Sequence, residues 1–474
     1  MIHGTSKMVQ QQEKLLENVA DLPLHDNNGQ VSTVWLNKLL EALSHKDVEQ
    51  ANRLMTNVHA ADVGDVLEAL SADDRFALVS LLGDSFDYSA LAEVDEAIRS
   101  HLIDLIPNAD IARGVADIDI DDAVYILEDI DKPEREDILA KVPALERMSL
   151  KRSLDFPEDS AGRRMQSEFI AIAPFWDVGK TIDQMRVDKD LPEEFYQIYV
   201  VDPTYNLIGI VPLDRLLRAK RDVKIEDLMN EDIITIPAIM DQEEAAHIFD
   251  HYDLVEVGIV DENNRLVGVL TIDDIVDVIQ EEADEDFRAL AGVGHETISD
   301  SVFAAIKSRI TWLLVNLVTA ILASMIIAMF DATIQQMVAL AVLMPIVASM
   351  GGNAGTQTMT VTVRAISMRD LDRFNMYRLI NREALVGLIN GIIFAIIIGI
   401  VTAFWFSNIA LGIVIGIAMV VNMAAAGVAG ILIPLGLNRA GADPAVASSA
   451  FVTTVTDVVG FFAFLGLAAI WFGL

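Results

Sequence analysis

The sequence predicts a multi-domain membrane protein: an α-helical superhelical domain, then a tandem pair of α/β modules, then an all-α membrane domain with five transmembrane helices. Three observations carry this. Charge is segregated along the chain, five long apolar stretches fill its C-terminal part, and one segment near the middle occurs twice at a fixed offset.

The chain has 474 residues, with 71 Asp and Glu against 34 Lys and Arg, a formal net charge of -37, yet 53% of it is hydrophobic. From Ile310 onward six acids balance six bases, so the whole excess lies in the first 309 residues. Such a field repels nucleic acid and anionic lipid and concentrates cations. A solubilising surface is the alternative cause of the bulk charge. The absence of cysteine excludes disulfides and thiolate metal sites. Residues 1–30 form a polar extension without an apolar signal segment, which places the acidic part in the cytoplasm.

Residues 31–160 carry apolar positions at helical spacing and read as stacked short helices. A weak repeat supports stacking: Leu67-Glu68 with Arg75 recurs as Leu127-Glu128 with Arg135 at an offset of 60.

The two modules span 161–225 and 226–284. Tyr199-Val200-Val201-Asp202-Pro203 with Leu207-Ile208-Gly209-Ile210-Val211 is echoed 59 residues later by Gly258-Ile259-Val260-Asp261-Glu262 with Leu266-Val267-Gly268-Val269-Leu270. Each copy reads as strand, turn, strand and a helix capped by Asp214 or Asp273. Short helices, Asp177–Met185 and Asp241–Phe249, precede the two hairpins. A duplication of this kind predicts modules that pack on each other.

After the second module come Asp273, Asp274, Asp277, Glu281, Glu282, Asp284, Glu285 and Asp286. Like charges three and four apart destabilise a helix unless something neutralises them. Divalent cations would do so; a solvated acidic face is the alternative. A connecting helix over 285–309 is expected to lead into the membrane.

Five apolar stretches reach the roughly 20 residues a bilayer needs: Thr311–Phe330, Met337–Val363, Ala384–Phe406, Ile409–Leu437 and Pro444–Phe472. Lys307 and Arg309, five arginines between the second and third stretches, and Arg439 fall on one face, which the charge rule makes cytoplasmic. The C-terminus is then outside.

The second stretch holds Pro345 and Gly351-Gly352-Asn353-Ala354-Gly355-Thr356-Gln357. Small residues allow close helix packing, while Asn and Gln also need polar partners inside protein or water. Asp443-Pro444 reads as a helix cap rather than a ligand. Asp457 lies 14 residues further on, about 21 Å along a helix. It is the one ionisable group expected deep in a span, so it should face an aqueous path or a partner. Oxygen ligands without sulfur or imidazole suit magnesium, calcium or manganese. One carboxylate from each subunit of a dimer suits hydrated magnesium, which dehydrates reluctantly. A proton or sodium site of a coupled transporter is the alternative.

These motifs together resemble the MgtE family of magnesium transporters and channels across nearly the full chain. The resemblance implies a helical N-terminal domain, a pair of CBS modules, a connecting "plug" helix and five membrane helices in a homodimer with its pore on the two-fold axis. It implies Asp457 as the pore ligand, with Asn353, Ser449 and Thr453 lining the pore. Asp241, Glu243, Asp250, Asp253, Asp274, Asp277, Glu282 and Glu285 match its regulatory magnesium ligands. It further implies ATP at the CBS pair, although extra residues between Asp177 and Tyr199 make the first module depart from the second. The expected function is magnesium uptake down the electrochemical gradient into the cell across the inner or plasma membrane, gated closed by cytoplasmic magnesium. Proton- or sodium-coupled transport and a non-transporting magnesium sensor are the alternatives. No nucleophile–base arrangement or phosphate loop points to an enzyme.

Overall fold

A computed structural model describes residues 22–188, 191–192, 195–294, 302–367 and 373–473. The chain divides into two compact units, Met1–Ile279 and Gln280–Leu474. Most of the expected polar extension and residues 295–301 of the expected connecting helix lie outside the described residues.

The first unit opens with short helices: α1 (Thr33–His45), α2 (Val48–Met55), α3 (Ala60–Ala69), α4 (Ala72–Leu82), α5 (Glu96–Leu105), α6 (Asn108–Asp117), α7 (Ile120–Glu128), α8 (Lys132–Lys141) and α9 (Ala144–Leu154). Small polar residues punctuate them. Asp47 accepts from the Gln50 N–H at 3.0 Å, and Asp95 from that of Ala97 at 3.0 Å, satisfying amides a helix start leaves free. Each helix turns an apolar stripe inward, so Leu39, Leu67, Leu78, Leu102, Ile111, Leu127 and Ile138 form one core. The repeat at offset 60 corresponds to α3–α4 and α7–α8. Arg75 at the start of α4 donates from Nε to the Leu67 carbonyl at 2.6 Å, closing the end of α3. A buried guanidinium pins the centre: Arg99 reaches the Asp129 carboxylate at 2.6 Å and lies 4.3 Å from the centroid of the Tyr125 ring.

A single turn, α10 (Ala161–Arg164), leads into the modules. The first contains β1 (Ala171–Ile172), α11 (Val178–Val187), β2 (Gln197–Val201), β3 (Leu207–Pro212) and α12 (Leu213–Arg218). The second contains β4 (Thr235–Pro237), α13 (Gln242–Tyr252), β5 (Glu256–Val260) and β6 (Leu266–Thr271), followed by the long α14 (Ile272–Ala291). Each sheet has three strands, a parallel pair followed by an antiparallel one. The duplication extends to register. Val200 faces Gly209 and Ile259 faces Gly268, with the irregularity one residue later in both copies. Every residue of β5 and β6 is buried.

Two helix starts differ from expectation. Asp214 and Asp273 do not cap; each lies inside the first turn of its helix. In the second module the Thr271 hydroxyl donates to Asp274 at 2.6 Å, so the local hydrogen bond at the start of α14 involves the next acid along. The boundary expected at 284/285 falls within α14.

Five helices of the second unit are long and apolar enough to cross a membrane: α15 (Val302–Ala328), α17 (Ala339–Ser367), α18 (Arg373–Trp405), α19 (Ile409–Arg439) and α20 (Pro444–Phe472), with the short α16 (Asp331–Gln336) after α15. The third begins well before the expected Ala384. Its first turns carry Asn375, Arg378 and Arg382, polar residues that hydropathy assigns to a loop but that continue the helix outward from the apolar segment. α19 is the most buried of the five and α15 the least. Glycine permits the tight crossing of α17 and α19: a Cβ on Gly430 would lie 2.8 Å from the Gly355 carbonyl oxygen.

Candidate metal centres

Among the described residues, one region in each unit gathers the acids or polar oxygens that the sequence singled out.

In the membrane unit, α20 begins as expected. Asp443 accepts from the Ala445 N–H at 2.7 Å, and Pro444 occupies the first turn. Ser449, Thr453 and Asp457 then follow at four-residue intervals along one stripe and are partly exposed, while Ser448, Val452, Thr456 and Gly460 on the adjacent stripe are buried. The Thr453 hydroxyl donates to the Ser449 carbonyl at 2.9 Å, and Thr456 to the Thr453 carbonyl at 2.9 Å. Both protons are directed to the helix backbone, and on the partly exposed Thr453 the remaining lone pairs are left as acceptors. On α17, Asn353 is exposed with Thr356, Gln357 and Thr360. The two helices meet where a Cβ on Gly355 would lie 2.6 Å from Val452 and 3.4 Å from Thr456. Polar faces on two touching helices, open in the single chain, need water or protein to cover them in a bilayer.

The sequence reading passed over Asn422. It is fully buried on α19, donating its amide to the Val347 carbonyl at 2.8 Å, while its Oδ1 has no partner. It fills the space beside Gly351 and Gly460, where α17, α19 and α20 converge, one turn from Asp457. An amide in an otherwise apolar helix was the available signal. Asp457 is also not the only carboxyl on a long apolar helix among the described residues. Glu383 of α18 is 6% exposed and accepts from the Thr358 hydroxyl at 3.3 Å.

In the first unit, acids of the helical domain face acids of α14. Asp274 is hydrogen-bonded to Asp121, and burial, then that neighbour, pushes its carboxyl well above the usual range. Asp121 Oδ1 is buried with no partner. Burial, then the charges of Asp121, Asp119, Glu93 and Asp87, pushes Asp122 up to about 8. Glu93 is raised by burial and then by Asp277. Asp274, Asp121, Asp122, Glu93 and Asp277 thus form a linked set of carboxyls in which each feels the next. Ionised together they would repel strongly; a proton or a cation relieves them. The sequence placed Asp274 and Asp277 in this role. Their partners lie on α7 and just before α5, remote in sequence, and only the run Asp119-Ile120-Asp121-Asp122 hinted at them.

The other expected ligands sit elsewhere. Asp241 caps α13, accepting from the Glu243 N–H at 3.0 Å. Asp250 is exposed near the end of that helix, and Asp253 is its C-cap in left-handed conformation, φ 52°. Glu282 and Glu285 lie further along α14, in the second unit. Beyond them Asp286 accepts from the Ser367 hydroxyl at 2.9 Å and is raised by burial and by Asp443. Ala289 packs with Met359, Val363, Ala445 and Val452. The end of α14 therefore rests on α17 and α20, the helices that carry Asn353 and Asp457.

Comparison with known proteins places these features. Residues 344–467 match the family model of a divalent cation transporter, 58–159 that of an MgtE intracellular N domain, and 225–281 that of a CBS domain. The chain is similar to the magnesium transporter MgtE of Enterococcus faecalis, 32% identical over 450 residues, covering 94% of this chain and 99% of that protein. It is also similar to the magnesium transporter MgtE of Bacillus subtilis, 30% identical over 379 residues, covering 80% and 84%. Among solved structures, the cytosolic domain of the magnesium channel MgtE in complex with ATP aligns with a TM-score of 0.48 at 24% identity, covering 51% of this chain and 99% of that one.

Proposed function

The chain belongs to the MgtE family of magnesium transporters, and from that premise we propose how it moves and senses the ion. Magnesium transport under the control of cytoplasmic domains is its function. The pathway is a channel that carries magnesium into the cell down its electrochemical gradient. Membrane potential supplies about 2.3 kcal/mol per charge per 100 mV, doubled for a divalent ion. Two copies of the chain meet with their α20 stripes facing the pore. Asp457 of each holds the ion, while Asn353, Ser449 and Thr453 line the path for its hydration shell. The observation that carries this reading is the partly exposed stripe on α20. It presents the Asp457 carboxylate and the acceptor lone pairs of Thr453, whose hydroxyl proton is directed to the helix. The N-terminus lies in the cytoplasm and the C-terminus outside.

The gate follows from the carboxyl set. At high cytoplasmic magnesium, ions sit among Asp274, Asp277, Glu93, Asp121 and Asp122, hold the helical domain against the second module, and favour a closed pore. At low magnesium, repulsion separates those faces. Closure requires tighter ion binding to the closed state. Its route to the pore is α14, whose far end rests on α17 and α20. The remaining expected acids, Asp241, Glu243, Asp250, Asp253, Glu282 and Glu285, contribute further regulatory ligands, and the CBS pair takes ATP. Nucleotide titration of the purified protein tests that last point, since absence of saturable binding removes it.

The ion path is tested by magnesium uptake into proteoliposomes at fixed potential with no other gradient, for wild type and Asp457→Ala. Uptake lost in the variant supports the channel. Uptake that needs a proton or sodium gradient indicates coupled transport, and no uptake under either condition leaves a sensor.

A further inference from the structure

A second type of metal centre lies at the edge of the helical domain, with a donor set unlike the carboxyl set above. Residues 22–31 precede α1. The Asp26 carboxylate accepts from the N–H groups of Asn28 at 2.7 Å and Gln30 at 3.1 Å, folding a turn that pairs His25 with Val31. This turn carries the His25 imidazole to the first turns of α3. Its Nε2 lies 3.6 Å from Asp62 Oδ1 and 3.4 Å from Asp65 Oδ2. A ligand atom from each of the three residues lies within 4.8 Å of the others.

These separations sit at the loose end of the ion-pair range, the Asp65 contact also being a long hydrogen bond. A charge-assisted N–H···O bond closes to about 2.7–2.9 Å. They also match the edge of a metal tetrahedron. With metal–nitrogen bonds of about 2.0–2.1 Å and metal–oxygen bonds of about 2.0–2.2 Å, the nitrogen–oxygen edge is about 3.4 Å. The two carboxylates are three residues apart on one helix face, and His25 comes from a separate segment, as a site that ties two segments together requires. The His25 ring nitrogen lies within 4 Å of both Asp62 and Asp65. The side chains are 31%, 39% and 56% exposed, which leaves room for water at a fourth position. Imidazole with carboxylate suits zinc and its neighbours, whereas magnesium prefers oxygen alone.

We propose that His25, Asp62 and Asp65 bind a divalent first-row transition ion of the zinc class, with water as fourth ligand, fastening segment 22–31 to α3. The site is independent of the ion path. It adjoins the carboxyl set, because Asp65 is among the charges that act on Glu93. A bound ion offsets that charge and holds α3 in place beside the sensing face.

The test uses the full chain in detergent, dialysed against micromolar zinc with millimolar magnesium throughout to fill magnesium sites. Wild type should retain one zinc per chain more than His25→Ala. Asp62→Asn and Asp65→Asn should each weaken that binding about tenfold or more, while His59→Ala should keep it. Hydrogen exchange in residues 22–31 should slow on adding zinc in wild type and not in His25→Ala. Folding of the variant is checked by unchanged exchange in α7. Equal zinc content in wild type and His25→Ala overturns the proposal, as does complete displacement of the zinc by magnesium. Neither result bears on uptake, so failure here and failure of the transport reading are separable.

Discussion

Replacing Asp122 by Asn should stabilise the cytoplasmic unit, because the wild-type carboxyl is held in a place hostile to its charge. Its value is pushed up to about 8 by burial and then by Asp121, Asp119, Glu93 and Asp87, against about 3.9 for an unfolded Asp. The native state therefore binds a proton that the unfolded state has released across that interval. Stability is fully present below about pH 4, falls as pH rises, and levels off above about pH 8. At pH 7 the ceiling on this cost is about 4 kcal/mol, from three pH units at about 1.4 kcal/mol each. Relaxation and water penetration reduce it, so a gain of about 1–3 kcal/mol is expected for Asp122→Asn. The assay is hydrogen exchange of peptides across α7 in the full chain, in magnesium-free buffer from pH 5 to 9, corrected for the intrinsic pH dependence of exchange. Wild-type protection should fall with pH, and the variant should show a shallower decline. Millimolar magnesium should flatten the wild-type profile, since the ion takes over from the proton. Parallel profiles for the two proteins without magnesium, or lower protection in the variant, would refute the reasoning.

Three further perturbations follow from the packing. Arg99→Ala removes a buried guanidinium from Asp129 and from the Leu91 and Val94 carbonyls; denaturant unfolding should register a loss of about 3–5 kcal/mol. Tyr199→Phe deprives Glu256 Oε1 of a hydroxyl donor at 2.6 Å in the buried core between modules, at a cost of about 1–3 kcal/mol measured the same way. Asn422→Ala should leave the membrane unit folded, since the side chain already has an orphaned oxygen, yet lower magnesium uptake several-fold by loosening the junction beside Gly351 and Gly460; wild-type uptake in a well-expressed variant would remove Asn422 from the pore's support.

What the sequence made legible was whatever a short window of residues determines. The module duplication was readable because strand register depends on local alternation, and both copies place a glycine, Gly209 or Gly268, opposite the residue before the irregularity. The spans were readable because bilayer crossing needs only apolar length; Asp457 drew notice because one charge in such a length is conspicuous. Where the outcome depended on distant partners, the sequence was mute. Asp274 and Asp277 were visible as acids on one helix, but what makes Asp274 unusual is Asp121, more than 150 residues earlier, and no local spacing encodes that approach. Asn422 escaped for a related reason: being neutral, it leaves no mark on a charge count, and its role is set by three helices converging on it. Glu383 was missed because hydropathy ends a helix where polarity begins, whereas backbone hydrogen bonding continues regardless of side-chain polarity. The same distinction explains α14. Its acids looked like a boundary between domains, yet the helix continues through them from Ile272 to Ala291, because its backbone hydrogen bonds do not depend on side-chain charge.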